Sequence, residues 1–198
     1  MAYAPDLNGA SFFGEKTYSN QVGVRLFYQP FGSWSVGTGL FYNRKKYGVA
    51  GEAYTPPPGY WENANNGIVP DWIDGSCGVI DIPITLTYQR SIGQRLDAVI
   101  SIGTSYFLLL DEEYLYGTGS YSYYGNTKGW STEENTNEGF AAFNASLGLD
   151  YSLKKERKLR LEAYIKSPLK KIGWGNVALY GNGVMISYFS PIKIFKSK

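Results

Sequence analysis

The chain has 198 residues, with 19 Lys and Arg against 17 Asp and Glu, and its net charge of +2 offers no basic field to nucleic acid. It has no histidine, which removes imidazole acid–base chemistry, His-based triads and His metal sites; its one cysteine, Cys77, excludes an internal disulfide. No apolar run reaches the 18 residues of a transmembrane helix, whereas 24 Gly, 18 Tyr and 10 Phe suit the strands and turns of a single all-β domain.

Met1-Ala-Tyr-Ala-Pro has no leader pattern, and we expect a leader or a longer upstream region in front of it. Ala2 to Phe13 reads as a first, weakly alternating strand. The second, Gln21 to Gln29, sets Val22, Val24, Leu26 and Tyr28 against Gly23, Arg25, Phe27 and Gln29. Pro30 to Ser33 is a tight turn. The third, Trp34 to Asn43, sets Trp34, Val36, Thr38, Leu40 and Tyr42 against Ser35, Gly37, Gly39, Phe41 and Asn43. Residues 44–76 lose the alternation, carry Pro56-Pro57-Pro58-Gly59 and predict a long loop.

The fourth strand, Val79 to Gln89, is the strictest: Ile80, Ile82, Ile84, Leu86 and Tyr88 oppose Asp81, Pro83, Thr85, Thr87 and Gln89. Its length fits the roughly 9–11 tilted residues that cross a bilayer. Pro83 removes a ladder hydrogen bond where a closed sheet has no free edge, which predicts a bulge or a water. Arg90 to Arg95 is a short turn. The fifth strand puts Leu96, Ala98, Ile100, Ile102, Thr104, Tyr106 and Leu108 on one side, and Asp97, Val99, Ser101, Gly103, Ser105 and Phe107 on the other. Residues 111–138 predict a second long loop, acidic and rich in Tyr and Gly. The sixth strand opposes Phe143, Ala145, Leu147, Leu149, Tyr151 and Leu153 to Asn144, Ser146, Gly148, Asp150 and Ser152. After a turn at Lys154 to Lys158, the seventh opposes Leu159, Leu161, Ala163 and Ile165 to Arg160, Glu162, Tyr164 and Lys166. A medium loop, Ser167 to Val177, leads to the eighth, with Val184, Ile186 and Tyr188 against Gly183, Met185, Ser187 and Phe189.

Short turns therefore alternate with medium or long loops, as in an eight-stranded antiparallel up-and-down transmembrane β-barrel with long extracellular loops and short periplasmic turns. Average hydropathy on the polar side does not oppose this, because such a barrel shows lipid only alternate residues. Tyr28, Trp34, Tyr88, Tyr151 and Tyr188 all sit on the apolar face at the short-turn ends, the pattern of an interfacial aromatic belt. The opposite face carries Arg25, Asp81, Asp97, Asp150, Arg160, Glu162 and Lys166. Eight strands enclose only enough room for side chains, so these charges are expected to pair and plug the lumen.

Other candidates are weaker. Asp111-Glu112-Glu113, Glu133-Glu134, Asp71 and Asp74 would suit a hard cation, but their spacing fits no known loop and a solvated acidic loop accounts for them. Gly117-Thr118-Gly119 lacks the helix and the Lys-Ser/Thr of a phosphate loop. The loop aromatics Tyr54, Tyr60, Trp61, Trp72, Tyr121, Tyr123, Tyr124 and Trp130 either grip a protein or a sugar or pack on one another. Glu162 and Ser187 share the inner face, but no base of suitable pKa accompanies them. Cys77 reads as a small inert residue, and Lys193, Lys196 and Lys198 as a solvated tail.

Several stretches resemble the small outer-membrane β-barrel proteins of the Bacteroidetes: Gly37 to Tyr42, Pro57 to Trp61, Asp74 to Cys77, Ile80 to Pro83, Gly103 to Phe107 and Ser167 to Asn176. The resemblance spans nearly the whole chain and implies the barrel, not an activity. In that group such barrels also end dual-membrane-spanning anti-sigma factors, and that resemblance implies an inner-membrane helix, periplasmic linker and cytoplasmic regulator upstream. The chain departs from the usual pattern, in which the last strand ends the protein on an aromatic, because Phe189 is followed by nine further residues, 190–198.

The expectation is a barrel over 1–189, a periplasmic tail over 190–198, and a monomer in the bacterial outer membrane. No cofactor, metal or nucleic acid is expected. Its partners would be the lipid bilayer and a protein at the extracellular loops or the periplasmic end. The function read from this is a non-enzymatic anchor, sensor or interaction module. The alternatives are a soluble ligand-binding barrel, which needs an apolar lumen, and a lipid-modifying membrane enzyme.

Overall fold

The computed structural model describes residues 1–118, 128–132 and 136–192. Nine strands form one sheet: β1 Ala2–Gly9, β2 Thr17–Phe31, β3 Trp34–Ala50, β4 Trp72–Ser91, β5 Leu96–Gly117, β6 Lys128–Thr132, β7 Thr136–Ser152, β8 Lys158–Pro168 and β9 Tyr180–Phe189. The order β4-β3-β2-β1-β9-β8-β7-β5 closes through β4–β5 pairing, every neighbour antiparallel, so the lower sheet closes on itself as a barrel. β6 lies above β7 against the upper half of β5, so the nine strands make eight staves. A short helix, α1 (Tyr60–Asn65), lies in the β3–β4 loop.

The orientation follows the alternation. Leu147 is 62 % exposed on the outer wall while Asp81 and Asp150, at 1 % and 0 %, lie inside. The outward apolar residues run from Trp34 to Tyr42 in β3 and from Ile80 to Tyr88 in β4. Nine residues at ~3.3 Å each, tilted by about 40°, give a band of about 23 Å, near the ~25 Å of membrane-spanning barrels. An exterior this apolar over a charged interior is the reverse of a soluble barrel, so hydrocarbon is the solvent it fits.

The strands are longer than the sequence pattern predicts. β3 runs to Ala50, β4 starts at Trp72, β5 continues to Gly117, and β6 and the start of β7 occupy what reads as loop at 111–138. The alternation persists there with its chemistry exchanged. Tyr47, Val49, Ile73, Cys77, Tyr114 and Tyr116 turn inward and are buried, while Lys46 and Glu113 turn outward. At Gly78/Val79 a bulge in the β4–β5 ladder shifts β5 by one residue, so Phe107 and Leu109 face inward below it and Glu112 and Tyr114 above it.

Two smaller expectations are corrected. β1 stops at Gly9, not Phe13. Pro83 causes no bulge: it pairs with Ser105, and only the β3 side of the ladder lapses, with the same register at Thr38↔Ile84 and Phe41↔Asp81 on either side. One missing N–H interrupts a rung without forcing an extra residue.

Candidate functional site

The lower lumen is an ionic core. At the short-turn mouth Lys158 approaches Asp97 at 3.3 Å, and Gln89 donates to Asp97 at 2.6 Å. One layer up, Arg160 donates from Nε and Nη2 to Asp150 at 2.5 and 2.9 Å, and Arg25 pairs with Glu162. The Arg25 and Arg160 guanidinium carbons lie 4.8 and 5.0 Å from the Phe27 ring centre, and Phe189 packs edge-on against Phe27. Above them Lys166 pairs with Asp81, and Gln21 links Lys166 to the Tyr164 hydroxyl. The top layer is Asp6, Asn8, Ser19, Asn43 and Lys45: Asn43 donates to Asp6 at 2.9 Å, and Lys45 donates to Asn8 at 2.9 Å.

All seven charges expected in the lumen thus lie there, but pattern reading found only part of the set. Asp6 sits in the weakly patterned first strand, Lys45 in a segment read as loop, and Lys158 in a segment read as turn. With them, five acids (Asp6, Asp81, Asp97, Asp150, Glu162) meet five bases (Arg25, Lys45, Lys158, Arg160, Lys166). A cavity of about 50 Å³ remains beside Arg25, Asn144, Glu162, Tyr164 and Lys166, large enough only for about three or four waters. Ser187 is 1 % exposed beneath Arg25, and Glu162 is held by Arg25 and by Ser146 at 3.0 Å, so both are engaged in the ionic core.

The upper lumen is an apolar core under a cap. Tyr47, Ile73, Val79, Phe107, Leu109, Tyr114 and Tyr116 line it. Tyr54 and Trp61 from the β3–β4 loop, and Ile172, Trp174, Val177 and Leu179 from the β8–β9 loop, close over it. The rings interlock: Tyr60–Trp174 at 4.5 Å, Trp130–Trp174 at 4.4 Å, Trp61–Tyr116 at 5.3 Å, and Tyr114 stacked on Trp130 at 5.5 Å. Burial pushes the Tyr60 phenol up to about 12 and the Tyr54 phenol higher still.

Glu112 anchors this cap from the inner wall. It is 2 % exposed, accepts from the Tyr114 hydroxyl, and accepts from the Trp174 backbone N–H at 3.1 Å. Gly173 donates to Glu138 at 3.3 Å, and Lys170 pairs with Glu138 at 2.6 Å. Gly173 has a φ of +71°, open to glycine without strain, and a Cβ at Gly175 would strike the Tyr54 ring.

The loop aromatics therefore divide. Tyr60, Trp61 and Trp130 join the cap and are half-buried, so they pack on one another instead of forming an open aromatic face. Trp72 begins β4, its ring over Gly117. Tyr121, Tyr123, Tyr124, Gly119, Glu133, Glu134, Lys193, Lys196 and Lys198 lie outside the described residues. The acidic run splits across the wall: Asp111 and Glu113 point outward to Arg44, at 2.9 and 2.7 Å, while Glu112 points in. Among the described residues no cluster able to hold a metal forms. Cys77 is buried. In the lower belt Trp34 and Tyr88 pair across β3 and β4 with ring centres 5.0 Å apart, and Tyr151 and Tyr188 flank Leu159. Tyr28 is 73 % exposed.

A second, larger concavity lies above the apolar band. A groove of about 860 Å³ runs along the tops of β3 to β6, lined by Lys46, Asp74, Ser76, Glu113, Trp130 and Ser131. No periodicity marks it, because its residues come from five strands, with Thr17 of β2 at one end.

No family model and no curated protein matches the chain. Among solved structures it is similar to Neisserial surface protein A, at 10 % identity over 93 % of this chain and 91 % of that one, with a TM-score of 0.48. It is also similar to Ail, the attachment invasion locus protein of Yersinia pestis, at 11 % identity over 94 % and 93 %, with a TM-score of 0.40. The barrel assignment stands on this chain's own strand pairing.

Proposed function

We propose that this chain is a non-enzymatic, non-conducting barrel of the bacterial outer membrane that serves as an anchor and as a sensor or interaction module. One observation carries the reading. Among the described residues the lumen is filled by paired charges below and by an apolar core and cap above, so a partner is met outside it, and the groove beside Trp130 is a sizeable surface open to one. An aromatic edge with Lys46, Asp74, Ser76 and Glu113 around it suits a polar partner, a protein segment or a glycan, better than an apolar ligand. A soluble barrel binding an apolar ligand has no room in a charged lower lumen.

The test is electrical and cell-biological. Reconstituted in a planar bilayer, the protein is expected to give no unitary conductance, and in fractionated Gram-negative cells to sediment with the outer membrane. Stable ohmic channels, or recovery as a detergent-free soluble monomer, would overturn the proposal.

The trans-envelope anti-sigma arrangement is favoured by one feature. The Met1 amine donates to the Tyr188 carbonyl at 3.0 Å, at the short-turn end, so any upstream segment would emerge on the same side as the turns. A tag placed before Met1 is expected to resist external protease in intact cells. Cleavage there would reverse the orientation.

A further inference from the structure

The short-turn end has a charge pattern that the barrel reading does not use. Arg90 continues the outward line Ile84, Leu86, Tyr88, and Arg157 continues the outward line Leu161, Leu159. Each lies two residues past the apolar band, or about 5 Å along the membrane normal at ~3.3 Å per residue with tilt, which is headgroup depth. Arg95 and Lys154 are exposed in the same two turns. One bond joins the two turns, Ser152 donating to the Arg95 carbonyl at 2.8 Å, and a second closes the β7–β8 turn on itself, Leu153 donating to the Arg157 carbonyl at 2.7 Å.

Four exposed cations therefore share one contiguous edge. The acids nearby do not neutralise it. Asp97 is engaged by Lys158 and Gln89, which leaves Glu156 as the one exposed carboxylate there among the described residues. Two apolar side chains, Ile92 at 56 % and Leu153 at 40 % exposure, stand among the cations. Cations interleaved with exposed aliphatics beside a hydrocarbon-facing wall form the combination that seats in a lipid interface, the stems in the acyl boundary and the heads on phosphate. The third short turn of that rim differs: the β2–β3 turn, Gln29 to Ser33, has no charged residue. At the other end of the band Arg44 is already paired to Asp111 and Glu113.

We propose that the joined β4–β5 and β7–β8 turns form a binding edge for anionic phospholipid headgroups, held by Arg90, Arg95, Lys154 and Arg157. The edge selects charged over zwitterionic lipid in the adjoining leaflet and fixes the rotation of the barrel relative to it. This rests on the membrane-barrel reading, and its test separates the two.

The full chain is folded into vesicles of phosphatidylcholine alone and of phosphatidylcholine mixed with phosphatidylglycerol, and insertion is scored by the heat-dependent shift on a gel. The relative association of spin-labelled phosphatidylglycerol over phosphatidylcholine is then measured by electron spin resonance. The expected preference is roughly fivefold, the factor for one cation near an anionic surface, and it should weaken with salt. In R90Q/R95Q/K154Q/R157Q, or in the milder R90Q/R157Q should the first fail to fold, it falls toward unity while the gel shift stays intact; K46Q, at the opposite end, leaves it unchanged. Equal association of the two lipids in the unaltered protein, or a preference that survives the quadruple variant, overturns the inference. Loss of the preference to inorganic phosphate at constant ionic strength overturns it in favour of a free-anion site, and salt-sensitive capture of soluble polyglutamate by the detergent-held protein in favour of an acidic protein partner. Failure to insert into either vesicle overturns the barrel reading instead.

Discussion

Asp150→Ala is the sharpest test of the ionic core. Arg160 is 4 % exposed and spends two N–H groups on Asp150, at 2.5 and 2.9 Å. Its nearest other acid is Glu162, at 4.0 Å from Nη1 and already paired with Arg25. Alanine at 150 thus leaves a buried guanidinium between the Phe27 and Phe189 rings without its carboxylate. Removing one partner of a buried pair costs about 3–5 kcal/mol. With a urea slope of ~2 kcal/mol per molar, the unfolding midpoint in vesicles should drop by about 2 M. The double variant Asp150→Leu/Arg160→Met replaces the pair with apolar volume and should recover most of that loss, because both desolvation penalties vanish together. Urea titrations followed by tryptophan fluorescence and by the heat-dependent gel shift give both numbers. A single variant that loses less than ~1 kcal/mol, or a double variant that loses as much as the single, would refute the claim that these charges are sealed from water.

Three further outcomes follow from the same geometry. Leu147→Arg, in the middle of the outward band, should cost about 2–4 kcal/mol in a bilayer, whereas Leu115→Arg, outward but above the band, should stay within ~0.5 kcal/mol; equal costs in vesicle unfolding titrations would misplace the membrane. Glu112→Leu strips the acceptor from the Trp174 N–H and the Tyr114 hydroxyl, so amide exchange over Ile172 to Val177 should rise roughly tenfold or more while the barrel keeps its gel shift. Unchanged exchange would show that apolar packing alone holds the loop. Burial raises the Tyr54 and Tyr60 phenols above the ~10 of an unfolded chain, Tyr60 to about 12. Their contribution is fully present below pH ~10 and is lost as pH climbs from there through the folded values, because the unfolded chain releases those protons first. Phenolate absorbance should show late-titrating groups and cap exchange should quicken above pH ~10; a flat exchange profile would sink this.

The eight staves were legible because hydrocarbon outside and charge inside make alternation strict, as Ile80 to Tyr88 illustrates. The strand ends were not. In β3 the inward series passes from Asn43 and Lys45 to Tyr47 and Val49, and the outward series from Leu40 and Tyr42 to Arg44 and Lys46. A search for apolar-out, polar-in residues loses the strand where both faces exchange character, and reports a loop. The same exchange hid Glu112, which sits among acids that look solvated until the bulge at Gly78/Val79 turns it inward. Lys158 was hidden for a different reason: turn lysines are common, and only the closure of β8 against β7 brings its ammonium beneath Asp97.

That exchange of faces also explains why the groove proposed as a recognition surface stands where it does. Below the rung of Tyr42 and Ile80 the outer wall must be apolar, so polarity is confined to the lumen and spent on ion pairs that fill it. Above that rung the outer wall meets water and can carry Arg44, Lys46, Asp74 and Glu113, which frees the interior to become an ordinary dry core of Tyr47, Ile73, Tyr114 and Tyr116. The upper barrel is therefore stabilised by its own burial and not by lipid, and β3 to β5 run unbroken through both regimes. A groove built on such an extension is held rigidly beyond the membrane surface without relying on the loops, whereas the lumen beneath it is committed to closure. On the proposed reading, a signal taken up at the groove travels through the wall of the barrel, because among the described residues paired charges and packed rings fill its middle.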